Sequence, residues 1–285
     1  MTVDAHLHVW DLTRGVYSWP DATVPSLHRT LTVEDIDPTL DALGIDGVIL
    51  VQAADTRADT ENMLAQAAHP RVRGVVAWAD LAAEPEPFAA DLAELRAHPA
   101  VVGIRNLTHV KGVDGWIRGA RQQENIAQIA RAKLPLDVVT ARHDELRDVV
   151  YTLDSTPGIQ VVVDHLGKPP IGGSRRDHQQ WRAILADIAA HPASTAKLSG
   201  LYASVGAMDA WTPAQVTPFI DDALSLFGPH RLMYGGDWPV VLLAGGYERS
   251  WTATMNALGS LSRTDRAHIL DGTATRVYGL QRPAR

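Results

Sequence analysis

The chain has 285 residues, with 26 Lys and Arg against 33 Asp and Glu for a net charge of −7, 12 His and no Cys. Without a basic run, that balance excludes a phosphate-neutralising surface and so nucleic acid as a partner. The lack of cysteine excludes disulfides, thiolate nucleophiles and Cys-based metal sites. At 46% hydrophobic and 21% charged residues the composition is that of a folded protein rather than a disordered one. No stretch reaches the roughly 18 apolar residues that a membrane helix needs. The start Met1-Thr2-Val3-Asp4 has no apolar signal core, so the expected location is the cytoplasm with no membrane partner.

In chain order, eight short β-branched runs bounded by Gly, Pro or Asp read as strands: 3–10, 46–52, 72–80, 101–106, 136–140, 159–165, 195–199 and 231–237. Helical patterns, rich in Ala, Leu and Arg with apolar residues three and four apart, fall between them at 60–68, 86–97, 124–133, 144–153, 177–190 and 213–227. Strand starts follow one another at intervals of about 23 to 43 residues, one strand–helix unit each. His69-Pro70, His98-Pro99, His191-Pro192 and Gly228-Pro229 each close a helix before a strand, because proline cannot continue one. Those three histidines are therefore expected as helix ends, not ligands. Only 11–31 and 107–121 read as long loops, and a single domain over 1–285 is expected. Eight parallel strands with crossover helices close into a (β/α)8 TIM barrel, an α/β fold. The rival open sheet lacks its Gly-x-Gly-x-x-Gly turn after the first strand.

Polar residues gather at the strand ends. Alternation puts Asp4, His6 and His8 on one face of the first strand. One strand histidine is as often a core residue as a ligand, but two side by side can bind a divalent metal or polarise a carbonyl. The sixth strand breaks from Val161-Val162-Val163 into Asp164-His165-Leu166-Gly167-Lys168 at its carboxyl end, where barrel active sites are built. The eighth ends in Tyr234-Gly235-Gly236-Asp237, where two glycines clear space around one carboxylate. Asp237 is the candidate general base, against the plain alternative of a turn or cap aspartate. Gln52, Arg105 and Lys197 lie on or at the end of strands two, four and seven. Lysine is scarce, four against 22 Arg, and two of the four are Lys168 and Lys197, with Lys168 expected nearer the substrate. Trp10, Trp78 and Trp238 offer rings that stack on a sugar or pack under the loops.

Taken in order, Asp4-Ala5-His6-Leu7-His8-Val9-Trp10-Asp11, Gly103-Ile104-Arg105, Asp164-His165-Leu166-Gly167-Lys168-Pro169, Lys197-Leu198-Ser199-Gly200-Leu201, Gly236-Asp237-Trp238-Pro239-Val240 and the terminal Gly272-Thr273-Ala274-Thr275-Arg276-Val277-Tyr278-Gly279-Leu280 span nearly the whole chain. This series resembles the metal-dependent hydrolases of the amidohydrolase superfamily, and within it the amidohydrolase-2 group that includes sugar-lactone hydrolases such as L-fuconolactonase and L-rhamnonolactonase. The resemblance implies a barrel with its site at the carboxyl ends of the strands, a His-x-His at His6 and His8, a strand-six His165 and a catalytic Asp237. The chain departs from the pattern at Asn106, where similar members often have His, and at Ala141-Arg142, where they often have Arg-Pro. Substrate contacts are expected to differ there. Positions 101–106 and 136–140 hold neither Lys nor His, which argues against a second metal.

Spacing and resemblance together imply hydrolysis of an aldono lactone to the open-chain sugar acid. Asp237 takes a proton from water as it attacks the ring carbonyl, and His165 or the protonated Asp237 donates to the leaving alkoxide. Substrate contacts fall to Arg105, Lys168, Gln52, Trp10, Trp78 and Trp238. The oxyanion is met either by one divalent ion, zinc first, on His6, His8 and Asp237, or without metal by the histidines with Arg105 or Lys168. Two other readings stay open. One is a metal-dependent decarboxylase or hydratase acting on an unsaturated dicarboxylate, with Arg105, Lys168, Arg142 and Arg175 as the cations. The other is a barrel that binds a sugar acid without turnover. The lactone's identity and the oligomeric state, a homo-oligomer included, are left open by the sequence.

Overall fold

The computed structural model describes residues 1–205 and 210–281. Strands β1 (Val3–Leu7), β2 (Gly47–Val51), β3 (Val72–Trp78), β4 (Val101–Asn106), β5 (Leu136–Val138), β6 (Val161–Val163), β7 (Ser194–Leu198) and β8 (Leu232–Tyr234) pair in parallel in sequence order. A bridge between Leu7 and Trp238 closes the ring, with the His8 N–H donating to the Trp238 carbonyl (2.7 Å) and the Asp237 N–H to the His6 carbonyl (2.8 Å). The expected (β/α)8 barrel is the observed one. Several strands are shorter than their sequence runs, because residues 8–10, 164–165 and 235–237 leave the ladder and carry His8, His165 and Asp237 to the mouth.

The helices are α1 (Val33–Ala42), α2 (Arg57–Gln66), α3 (Pro85–Ala97), α4 (Ala120–Ala132), α5 (Leu146–Ser155), α6 (Arg175–Ala190), α7 (Pro213–Phe227), α8 (Tyr247–Ala257), α9 (Arg263–Ala267) and α10 (Thr273–Val277), a π-turn joining the last two. Helix α1 escapes the periodicity reading because Pro38 sits inside it. An interior proline costs roughly 3 kcal/mol. Burial of Val33, Ile36 and Leu40 on one face and a capping box between Thr32 and Asp35 offset that cost. His98 and His191 do cap α3 and α6: His98 Nδ1 accepts from the Ala100 N–H (3.2 Å), and His191 Nε2 lies 3.3 Å from Asp154 of α5. No helix among the described residues is long and apolar enough to cross a membrane.

Two apolar layers result. The larger lies between strands and helices. The smaller fills the lower barrel, where Val3, Ala5, Ile49, Val51, Val76, Val162 and Met233 meet Ala274, Val277, Tyr278 and Leu280 from the C-terminal segment. Strand β1 changes register between Asp4 and Leu7. Asp4 therefore does not share the face of His6: its carboxylate accepts from the Tyr247 hydroxyl of α8 (2.6 Å) and the Gly236 N–H (2.8 Å).

Candidate active site

His8 Nδ1 is 2.7 Å from the Val51 carbonyl oxygen, an acceptor only, so this nitrogen carries a proton and Nε2 is the one turned toward the mouth. His6 Nδ1 lies 3.2 Å from both Asp164 Oδ1, an acceptor, and Lys197 Nζ, a donor, so either tautomer of His6 finds a partner there. The two Nε2 atoms are then 3.1 Å apart, and Asp237 Oδ1 is 3.7 Å from His6 and 3.5 Å from His8. Ligands about 2.0 to 2.1 Å from a tetrahedral ion stand roughly 3.3 Å from one another, so these three donors are spaced as a divalent metal requires. His165 also belongs to the cluster: one ligand atom each from His6, His165 and Asp237 lie within 4.8 Å of one another. The Arg105 guanidinium reaches the same point, with Nη1 3.2 Å from His6 Nε2.

Beneath these donors lies a buried charge network. Lys197 Nζ is 2.5 Å from Asp137 and 3.1 Å from Asp164, and Arg105 is 3.0 Å from Asp164. The Tyr278 hydroxyl donates to Asp137 at 2.7 Å. All five side chains are buried. Burial would raise Asp164, but Lys197, His6 and Arg105 together hold its carboxyl well below the usual range. Asp137 goes the other way, up to about 6, because burial outweighs the Lys197 ammonium it shares with Asp164. Burial lowers His6 and His165 well below their ordinary value, so both are neutral at pH 7 and available as ligands or acceptors. At Asp237 burial acts upward, and His165, His8 and Lys168 more than offset it, so the carboxylate stays ionised.

The backbone at the mouth is strained where it aims these groups. His165, Leu166, Gly167 and Lys168 all have positive φ, a left-handed turn that costs roughly 1 to 2 kcal/mol per non-glycine residue. The Trp181 Nε1–H donates to the Leu166 carbonyl (2.8 Å) and Ser199 Oγ lies 2.8 Å from His165 Nδ1, which together fix the turn. Gly167 is required there, since a Cβ would come 2.2 Å from Leu146. Asp237 too has φ 55°. Gly235 and Gly236 clear room beside His6 and Tyr247 rather than around Asp237. The glycine against that carboxylate is Gly200, whose Cβ would lie 2.9 Å from Asp237 Oδ2 and 2.5 Å from His165.

Above the cluster opens a cavity of about 530 Å³, lined by His8, His165 and Asp237 at its reactive end and reached by Trp10, Arg105 and Lys168. Of the sequence-based substrate contacts, these last three line it. Gln52, Trp78 and Trp238 are not among its lining residues: Gln52 Nε2 donates to Asp55 instead (2.6 Å), and Trp238 is buried beside the closing bridge. Lys197 is fully buried, whereas Lys168 faces the cavity. Sequence reasoning missed Asp55 and His109, which also line it. The Asp55 carboxylate is pinned by Gln52, the Leu107 N–H (3.0 Å) and Lys111. Burial and the nearby Arg105 and Lys168 lower His109 to about 4. Their signal was their position just past the ends of β2 and β4.

Residues 3–280 match the profile of the amidohydrolase family. The chain belongs to that family. It is 32% identical to an L-fucono-1,5-lactonase of Burkholderia ambifaria over 99% of this chain and 97% of that protein. It is equally 32% identical to an L-fucono-1,5-lactonase of Burkholderia multivorans, over 100% of this chain and 98% of that protein. Among solved structures, an amidohydrolase from Burkholderia multivorans with bound zinc superposes with a TM-score of 0.91 at 29% identity, covering 99% of this chain and 100% of that one. Four strand-end donors, His6, His8, His165 and Asp237, thus converge where a divalent metal can be held.

Proposed function

We propose that the chain hydrolyses a sugar 1,5-lactone to the open-chain aldonate. The observation that carries this reading is Asp237: an ionised carboxylate 3.7 Å from the His6 imidazole and 3.5 Å from that of His8, at the floor of a cavity with Arg105, Lys168 and Trp10 in its wall. The full-length similarity to two L-fucono-1,5-lactonases supports it.

Asp237 accepts a proton from water as the oxygen attacks the lactone carbonyl, and Arg105 and Lys168 offset the charge that grows on the carbonyl oxygen. The ring C–O bond then breaks, and the proton held by Asp237 passes to the leaving alkoxide. The net change is one water added, giving a hydroxy acid that ionises. His165, fixed by Ser199, stands with its ring within 4.8 Å of the Asp237 carboxylate, beside the reacting atoms. His6, His8 and Asp237, with His165 adjacent, fit one divalent ion, zinc first, which when bound supplies positive charge at the reacting carbonyl. The Val51 carbonyl holds the His8 ring with Nε2 toward that point, and Asp164 and Lys197 hold the His6 ring from its Nδ1 side.

The decarboxylase or hydratase reading has less support. It needs cations for two carboxylates, and of the four candidates only Arg105 and Lys168 line the cavity, Arg105 already being paired with the buried Asp164 at 3.0 Å. Arg142 is engaged with Asp114, Asp144 and Glu145, and Arg175 is exposed at the start of α6. The test is proton release across a panel of five- and six-membered aldonolactones, with protein as purified and after chelation. Turnover of one stereochemical family above spontaneous opening is expected, and loss after chelation assigns the histidines to a metal. No turnover of any lactone would contradict the reading.

A further inference from the structure

The cavity is larger than a single sugar ring needs. A cavity of roughly 150 Å³ holds benzene, or about 25 Å³ per non-hydrogen atom. On that scale 530 Å³ accommodates about 21 such atoms. A deoxyhexono-1,5-lactone has about 11, and a disaccharide aldonolactone about 23, on the same measure. The surplus lies away from the chemistry. His8, His165 and Asp237 sit at strand ends, but Val16, Ser18, Trp19, Thr56 and Val110 come from loops that continue outward past β1, β2 and β4.

That outer wall has the make-up of a sugar subsite. Trp19 is 41% exposed, yet its ring is braced edge-to-face on the buried Trp10 at a centroid distance of 6.0 Å. A rigid aromatic platform orders a ligand at little entropic cost. Ser18 and Thr56 add hydroxyls to the same lining, and Val110, 60% exposed, adds an apolar side chain.

Resting on the lactonase reading, we infer that this outer wall is a second subsite and that the substrate class is a glycosylated aldono-1,5-lactone, its lactone ring at Asp237 and its glycosyl ring against Trp19. The inner ring is then recognised by Arg105 and Lys168 and the outer by stacking, so the two contributions are separable.

The test compares the intact protein on glucono-1,5-lactone and on its glycosylated counterparts cellobiono-, maltobiono- and lactobiono-1,5-lactone, with L-fucono-1,5-lactone as a further monosaccharide. At least one glycosylated lactone is expected to exceed its parent in kcat/KM by about tenfold, which corresponds to about 1.4 kcal/mol. Trp19→Ala should abolish most of that ratio through KM, and Val110→Glu, at an exposed rim position that folding does not depend on, should lower it in the same direction. Monosaccharide turnover with every glycosylated lactone at or below its parent overturns the subsite while leaving the lactonase reading intact. Failure of all lactones, by contrast, removes the reading on which the subsite rests.

Discussion

At the amino ends of the strands Val3, Ala5, Ile49, Val76, Val162 and Met233 pack against Ala274, Val277 and Leu280, with one hydroxyl, that of Tyr278, reaching up into the barrel. At the carboxyl ends the same strands finish in His6, His8, Arg105, His165, Lys197 and Asp237, all buried. Of the five non-glycine residues with positive φ among those described, four are at this mouth, His165, Leu166, Lys168 and Asp237. The lower end is apolar and relaxed, and the upper end concentrates desolvated charge and backbone strain. One fold carries both because the apolar plug and helix packing supply stability that the mouth does not have to generate.

Substitutions at the two ends should therefore fail differently. His6→Ala removes the imidazole at the centre of the cluster, and kcat/KM on the lactone that the wild type opens is expected to fall by about a thousandfold or more, with the fold kept by circular dichroism. Lys197→Met leaves Asp137 and Asp164 buried with their ammonium gone and should cost about 3 to 5 kcal/mol in urea unfolding. At the other end, Ile49→Ala opens a cavity in the plug and should cost about 2 to 5 kcal/mol, while kcat per folded molecule stays within a few-fold of wild type. Equal loss of kcat in that variant would break the division between the ends.

A smaller effect separates the ends by pH. The folded-state value of His165 lies well below the ordinary 6.5, so below pH 6.5 the unfolded chain binds a proton there that the folded chain does not. Stability is present above that value and is lost as the pH falls, by up to about 1.4 kcal/mol per pH unit. In chelator-treated protein, His165→Asn should remove this component, so its unfolding free energy should drop less than that of wild type between pH 6.5 and 5.5. Parallel curves would show that His165 does not titrate in this way.

Much of the frame was legible because it is local. The β-branched runs and the His-Pro joints mark each βα unit within its own residues, and a polar break at the end of an apolar strand pointed directly to His165 and Asp237. What the sequence concealed depends on distance along the chain. Lys197 meets Asp137 across 60 residues and Tyr278 meets Asp137 across 141, and no periodicity records such pairs. The register shift in β1, which turns Asp4 away from His6, also follows from pairing with β2 rather than from alternation. Gln52 at a strand end looked like a ligand contact, but its amide serves Asp55, one shell from the cavity.

The central claim is that Asp237 takes the proton from the attacking water. Steady-state kcat/KM of Asp237→Asn, measured by proton release on the lactone that the wild type opens best, tests it most directly. A fall of about a hundredfold to ten-thousandfold is predicted, and activity retained within a few-fold of wild type would contradict the assignment.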